Sequence, residues 1–451
     1  MGKGLRFFEC RIIHGMMIIL FIAGILSGCS GTGEDKKSAK LIEGAGVETG
    51  SNQPKAKKQN PVMLRLLLNS PELTEQYYDM AKEYNREFQD TTLDLTILQN
   101  DYQTVLKSRL NSGDIPDVFI TGAYYENKVY RDYSCDLTNE DFINQIDPSA
   151  LKTVTLDGKI TGYPFLFQAH SFIYNKKVFS EAGISGPPKT LKELEEICKK
   201  LSLKGIQPFA TGFGEWWVLE QVATQYMVGI KDSYSGDYVK FADELNAGRL
   251  AFGDIKELDG VFDIIDLQLK YGGTKPMNSD FASQCQLLAS GKAAMIHQGT
   301  WAEETIRKAN PHTDVGFFAA PGENEFANPG IMVDSNLCMR IYKDSKQREA
   351  ALDWMRWLIT SKYGEHWIPE KCRQISTIKG ASIPKTQLAQ DTMEFIRSSK
   401  AYPWFKGYYV DGFEQQLGLS LQAYAAGNKT RQQVKDELSQ TYKRLSRQSL
   451  K

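Results

Sequence analysis

Residues 212–217 read Gly-Phe-Gly-Glu-Trp-Trp, two adjacent tryptophans preceded by an acid and set among glycines. Neighbouring side chains on a strand or helix point in different directions, so at least one of Trp216 and Trp217 is expected to face out of the core. An indole face packs on the C–H face of a pyranose while a carboxylate accepts hydrogen bonds from its hydroxyls. Glu215 with Trp216 or Trp217 therefore suits a sugar, the plain alternative being a tryptophan pair in a core. Covalent and metal chemistry have less support: the chain shows no Gly-rich phosphate loop, G-x-S-x-G elbow or H-E-x-x-H. His170, His297, His312 and His366 are too scattered for a metal cluster or a triad, so neither a metal nor a cofactor is expected. A glycosidase needs two carboxylates flanking the scissile bond. Glu215 would be one, and no second acid accompanies it at a recognisable spacing.

The elements that must position such residues begin at Val62–Leu68, apolar except for Arg65, the pattern of a strand buried on both faces. Ser70-Pro71-Glu72 follows as an N-cap, a proline at the first helical position and an acidic first turn. Leu73, Tyr77, Met80, Ala81, Tyr84 and Phe88 then recur at helical spacing. Leu93, Leu95 and Ile97 alternate as a second strand, Tyr102, Val105, Leu106 and Leu110 mark a second helix, and 117–120 reads as a third strand. Short connections in a βαβαβ run predict a mostly parallel α/β unit. Ligands in such sheets sit at the carboxyl ends of strands, here the turns 69–72, 99–101 and 121–126. Glu72, in the first, either bonds a hydroxyl or complements the helix dipole.

Residues 157–179, DGKITGYPFLFQAHSFIYNKKVF, read as extended chain after an Asp157-Gly158 turn, with polar residues 168–171 separating two apolar runs. A core strand would not place Gln, His and Ser at its centre, whereas a strand crossing a cleft between two halves would. Gln168 sits at that break and is a candidate contact. Residues 330–341 repeat the theme with Asp334-Ser335-Asn336 between apolar ends, which makes Asp334 another candidate. Further on, Thr190 with Glu193 forms a capping box, and Val434, Leu438, Tyr442 and Leu445 mark a closing helix.

Composition sets the frame. With 451 residues, 41% of them hydrophobic, the chain can fill two lobes, and a formal net charge of -1 gives no electrostatic case for nucleic acid. Lys3, Arg6 and Arg11 precede an apolar segment, 16–26, too short to span a bilayer, and residues 1–28 read as a signal peptide. It ends in Leu-Ser-Gly-Cys, which resembles a bacterial lipobox with Cys29 as the lipidated residue. Residues 29–60 are poor in large apolar side chains and are expected to be a flexible tether. Removing 1–28 takes three basic residues and one acid from totals of 54 and 55, so the mature chain stays mildly acidic. Cysteines 135, 198, 285, 338 and 372 show no metal-ligand spacing and are expected as scattered core thiols.

Several motifs together resemble a known family. DGK-x-x-G-x-P at 157–164, YNK-x-x-F at 174–179, the 102–118 pattern ending Gly113-x-x-Pro116-Asp117-Val118, and GK-x-AM with Gly299-x-Trp301 at 291–301 are similar to the extracellular solute-binding proteins of sugar ABC transporters, the group that includes maltose-binding protein. The resemblance implies an α/β, type II, two-lobed periplasmic-binding-protein-like fold, each lobe a mixed, mostly parallel sheet flanked by helices. On this reading 61–167 with about 335–402 form the first lobe and 168–334 with about 403–451 the second. The resemblance also implies that Trp301, at the start of a helix after a strand, stacks on the sugar, and that Tyr124 and Tyr125 contact it from the first lobe. It places Trp404 at a further crossing, while Trp354 and Trp357 are expected in a core. The implied function is hinge closure on an extracellular saccharide by a lipid-anchored monomer at the outer face of a bacterial membrane, delivered to ABC permease subunits and not hydrolysed. A receptor for a peptide or other polar solute on the same fold and a surface glycoside hydrolase are the alternatives.

Overall fold

The computed structural model describes residues 61–98, 101–227, 237–322 and 330–449. The signal peptide, Cys29 and the tether, and the candidate turn residues Gln99 and Asn100, lie outside the described residues. Among the described residues no helix is long and apolar enough to cross a membrane.

Strand β1 (Val62–Leu68) lies between β2 (Thr91–Ile97) and β3 (Val118–Gly122), parallel to both. Leu64, Leu66, Leu67 and Leu68 are buried, as the unbroken apolar run demands of a strand covered on both faces. Helices Thr74–Glu87, Tyr102–Ser112 and Arg348–Thr360 pack with this sheet around Trp354 and Trp367. Trp354 and Trp357 are buried as expected. Their indole N–H groups donate to Met80 Sδ in the core and to Glu87 Oε2 at its edge, so each buried ring has a partner for its polar edge. Ser70 departs from the expected N-cap: it adopts left-handed dihedrals (φ 64°), and its hydroxyl donates to Asn69 Oδ1 and accepts from no helix N–H.

After the β4 (Thr155–Leu156) and β5 (Lys159–Ile160) hairpin, turned by Asp157 and Gly158 at positive φ, the chain leaves this sheet through β6 (Tyr163–Pro164). It enters the second sheet as β7 (Leu166–Asn175), ten residues long and the axis of that sheet. Strands β9 (Ala293–Gly299), β10 (Val315–Phe318), β11 (Ile331–Asp334) and β13 (Ile375–Ser376) all pair with β7, each antiparallel. Strand β8 (Gln207–Phe209) runs parallel to β9, and β14 (Ala401–Tyr402) parallel to β11. The polar residues at the centre of β7 do not break it. His170 and Ser171 are fully buried inside a continuous strand; the Ser171 hydroxyl donates to Phe318 O and His170 Nδ1 meets Gln225 Oε1, while His170 Nε2 has no partner among the described residues.

The return crossing is β11, in the second sheet, followed after Ser335 and Asn336 by β12 (Leu337–Ile341), antiparallel to β3 and β6 in the first. Arg340 locks this join. Fully buried, it donates to Thr121 Oγ1, to Thr161 through both its carbonyl and hydroxyl, to Gly122 O and to Asn127 Oδ1. The third passage comes earlier than expected. Helix Gln387–Arg397 packs on β10, β11 and β14, so this part of 335–402 belongs with the second sheet. The closing helix Arg431–Ser449 packs on Phe413–Ala425 in that same half. The five cysteines among the described residues are buried and free.

Candidate functional site

A cavity of about 1030 Å³ lies between the two sheets, with walls drawn from both. Its aromatic part is built at two helix starts. Strand β9 ends at Gly299, and Trp301 occupies the position just before helix Ala302–Ala309. Only glycine fits at 299, since a Cβ there would stand 2.1 Å from the Trp301 ring. The indole N–H donates to Gln298 Oε1 (2.8 Å), the Gln298 amide donates to Gln284 Oε1 (2.8 Å), and the Gln284 amide donates to Ala210 O (2.8 Å). This relay fixes the ring's rotation. Trp301 stacks near His170 (5.9 Å, 14°), meets Trp404 edge-on (5.9 Å, 68°) and remains 8% exposed, a strip facing the cavity.

Trp216 and Trp217 open helix Trp216–Tyr226 and are both half-buried cavity residues. Trp217 packs edge-on to Phe281 (5.7 Å), and Gly418 lets the Trp216 backbone approach its helix closely. One turn after Trp217, Gln221 points the same way and lines the cavity. The Trp217 and Trp404 indole N–H groups and Gln221 Oε1 are buried without a protein partner. Buried polar atoms ordinarily have a partner, so these are atoms free to meet a ligand or water.

Of the residues named from sequence, Trp301, Trp216, Trp217, Trp404, Gln168, Glu72 and Tyr125 are brought together around this cavity. Three are not. The Glu215 carboxylate accepts from Phe281 N (2.7 Å), at the start of helix Phe281–Ala289, where unpaired N–H groups and the helix dipole favour an anion. Tyr124 has positive φ (55°), and its hydroxyl donates to Asp334 Oδ2 (2.6 Å), a bond that ties the end of β3 to β11. Asp334 also accepts from Trp404 N (3.1 Å), and burial pushes its carboxyl up to about 6. Tyr124 and Asp334 line a second cavity of about 900 Å³, which Tyr125 also reaches.

Burial also raises Glu72, to about 7, at the wall contributed by the first sheet. Sequence reasoning missed the other polar end. Lys107 and Asp411, one from each half, form an ion pair at 2.7 Å, and Lys406 bonds Glu220 (3.1 Å) and Glu414 (3.4 Å) beneath them. The four-residue step from Trp217 would have found Gln221; Lys107 and Asp411 are 304 positions apart and carry no local signal. His170 and His297 stack at 4.7 Å beneath the indoles, and burial holds both below the usual imidazole range. Among the described residues no group of three or more His, Cys, Asp or Glu is placed to hold a metal. The arrangement offers ring faces for stacking and donors and acceptors that can pair with hydroxyls.

Comparison with known proteins agrees with this architecture. The chain is similar to the melibiose/raffinose/stachyose-binding protein MelE of Bacillus subtilis, 23% identical over 96% of this chain and 97% of that protein. The multiple sugar-binding protein of Streptococcus mutans is 24% identical over 77% of this chain and 82% of its own length. In solved structures, a chitin oligosaccharide binding protein aligns at TM-score 0.75 with 20% identity, covering 86% of this chain and 99% of that one. RafE in complex with raffinose aligns at TM-score 0.72 with 18% identity, covering 85% of this chain and all of that one. These likenesses establish the type II two-lobed fold. Residues 70–365, well over half of the sequence, match a family described as bacterial extracellular solute-binding protein, and to that family the chain belongs.

Proposed function

We propose that this protein is the solute-binding component of a carbohydrate ABC transporter, receiving a saccharide between its two halves and delivering it unchanged to a permease. The observation that carries this reading is the indole-lined cavity between the sheets, with Trp217, Gln221 and Trp404 presenting unpaired polar atoms beside apolar rings. Relatives named for melibiose, raffinose and stachyose, and a neighbour bound to raffinose, support a saccharide. The glycosidase alternative takes Glu215 as one of its two carboxylates, and that carboxylate accepts a hydrogen bond from Phe281 N. On this reading Cys29 carries the lipid, 29–60 tethers the binding unit outside the cell, and the protein acts as a monomer.

Closure follows from cavity walls contributed by two sheets, because contacts from both exist together only when the halves meet. Moving a two-state equilibrium from 1:99 to 99:1 takes roughly 5.5 kcal/mol of differential affinity. A micromolar ligand releases roughly 8 kcal/mol, which is sufficient. The test is a tryptophan fluorescence titration with raffinose, stachyose and chitin oligosaccharides, followed by chromatography of the recovered sugar. Saturable quenching with intact sugar is the expected result; new reducing ends would replace the receptor with a hydrolase.

A further inference from the structure

We propose that the cavity selects its saccharide by charge, ranking amine-bearing above neutral and neutral above carboxylate-bearing sugars, with Glu72 and Glu126 carrying the discrimination. This rests on the saccharide reading given above. The charged side chains on the cavity wall are Glu72, Glu126, Asp411 and Glu414 against Lys107 and Lys406. Neither lysine is available to a ligand's anion. Lys107 is paired with Asp411, and Lys406 is held by both Glu220 and Glu414.

Among the described residues Glu72 and Glu126 form no ion pair, although the Arg340 charge lies near enough to Glu126 to favour its ionised form. Glu126 accepts from Gly122 N at 2.6 Å, and the nearby Arg340 gives its hydrogen bonds to hydroxyl, carbonyl and amide oxygens. Burial raises both carboxyls to about 7, so each already resists ionisation where it stands. An ammonium group brought alongside restores their charge, whereas a second carboxylate adds like charge in a site of low dielectric. That this cavity receives a ligand stands on separate ground: Gln221 Oε1 and Trp404 Nε1 line it, are more than nine-tenths buried and have no partner among the described residues. An indole donor and an amide acceptor in one cavity match hydroxyls and amines, which both give and take hydrogen bonds.

The experiment is calorimetric titration of the full chain with two neutral trisaccharides, raffinose and tri-N-acetylchitotriose, each beside an amine-bearing and a carboxylate-bearing derivative. For whichever parent binds, at least tenfold separation is expected at each step of the ranking in low salt. The steps should narrow at high ionic strength, where charges are screened within a few ångströms, and again in Glu72→Gln and Glu126→Gln. The salt series on the unaltered protein stands if either variant folds poorly. A carboxylate form that binds as tightly as its neutral parent, or a ranking untouched by salt, overturns the inference and leaves the saccharide reading in place. Binding by none of the six sugars overturns both.

Discussion

The hydroxyl of Tyr124 donates to a carboxyl that burial has already pushed toward its neutral form, and the pair joins residues from the two sheets. Tyr124→Phe removes this hydrogen bond and should cost about 1.5–3 kcal/mol in denaturant unfolding. A loss within error of zero would mean the bond contributes nothing net. Glu72 sets a pH dependence. Its folded value of about 7 exceeds the ordinary 4.5, so between those values the folded protein holds a proton the unfolded chain has lost. Stability from this group is therefore greatest at the acid end and falls as pH rises through that window. Melting temperature followed from pH 4.5 to 7.5 should decline less steeply in Glu72→Gln than in the parent; parallel curves would remove Glu72 from the effect. Among these side chains the tryptophans were legible in the sequence, and of the named acids only Glu72 reaches the cavity. Trp216 and Trp217 stand out because two adjacent rings beside an acid and among glycines cannot both face a core, whereas Trp301 was named through the family resemblance. Glu215 and Asp334 were named for the right chemistry, but a carboxylate's role depends on which donor reaches it. The donors that do, Phe281 N and the Tyr124 hydroxyl, lie 66 and 210 positions away.

Among strands and helices, the join between β9 and the helix after it is the one on which the aromatic wall depends. Gly299→Val would drive a side chain into the Trp301 ring, and overpacking of this kind typically costs about 1–3 kcal/mol. Unfolding free energy and saccharide affinity should both fall; normal affinity would show that the ring's placement is not what the ligand reads. Local pattern was sufficient for the first sheet. Apolar runs, helical spacing and short turns placed β1 to β3 and the helices between them within a few residues, since each is decided by its own segment. Strand β7 was harder, because its buried polar residues look like a break until the partners Gln225 and Phe318 O are known. The same reason hid the early return before helix Gln387–Arg397, whose apolar face is claimed by β10 and β11 from far away in sequence.

For the molecule taken entire, two sheets joined by crossing segments make a cavity with walls from both. The two-sheet division was read from the polar residues of the crossings, but the ion pairs that bridge the halves could not be, because each unites residues distant in the chain. Lys107–Asp411 is half-exposed and Lys308–Glu75 more so, hence each should contribute only about 0–1 kcal/mol to the closed form. Lys107→Ala should accordingly weaken binding by no more than about fivefold and make affinity less sensitive to salt. A larger loss with unchanged salt dependence would place Lys107 on the ligand instead of on the closure.

Whether a saccharide is held against indoles between the two halves is decided by calorimetric titration of Trp301→Ala beside the parent protein, with whichever sugar binds. Affinity should drop by at least about 30-fold, roughly 2 kcal/mol for a buried tryptophan anchor, with cooperative unfolding retained. Equal affinity in the two proteins would mean that the indole wall is not where the sugar sits.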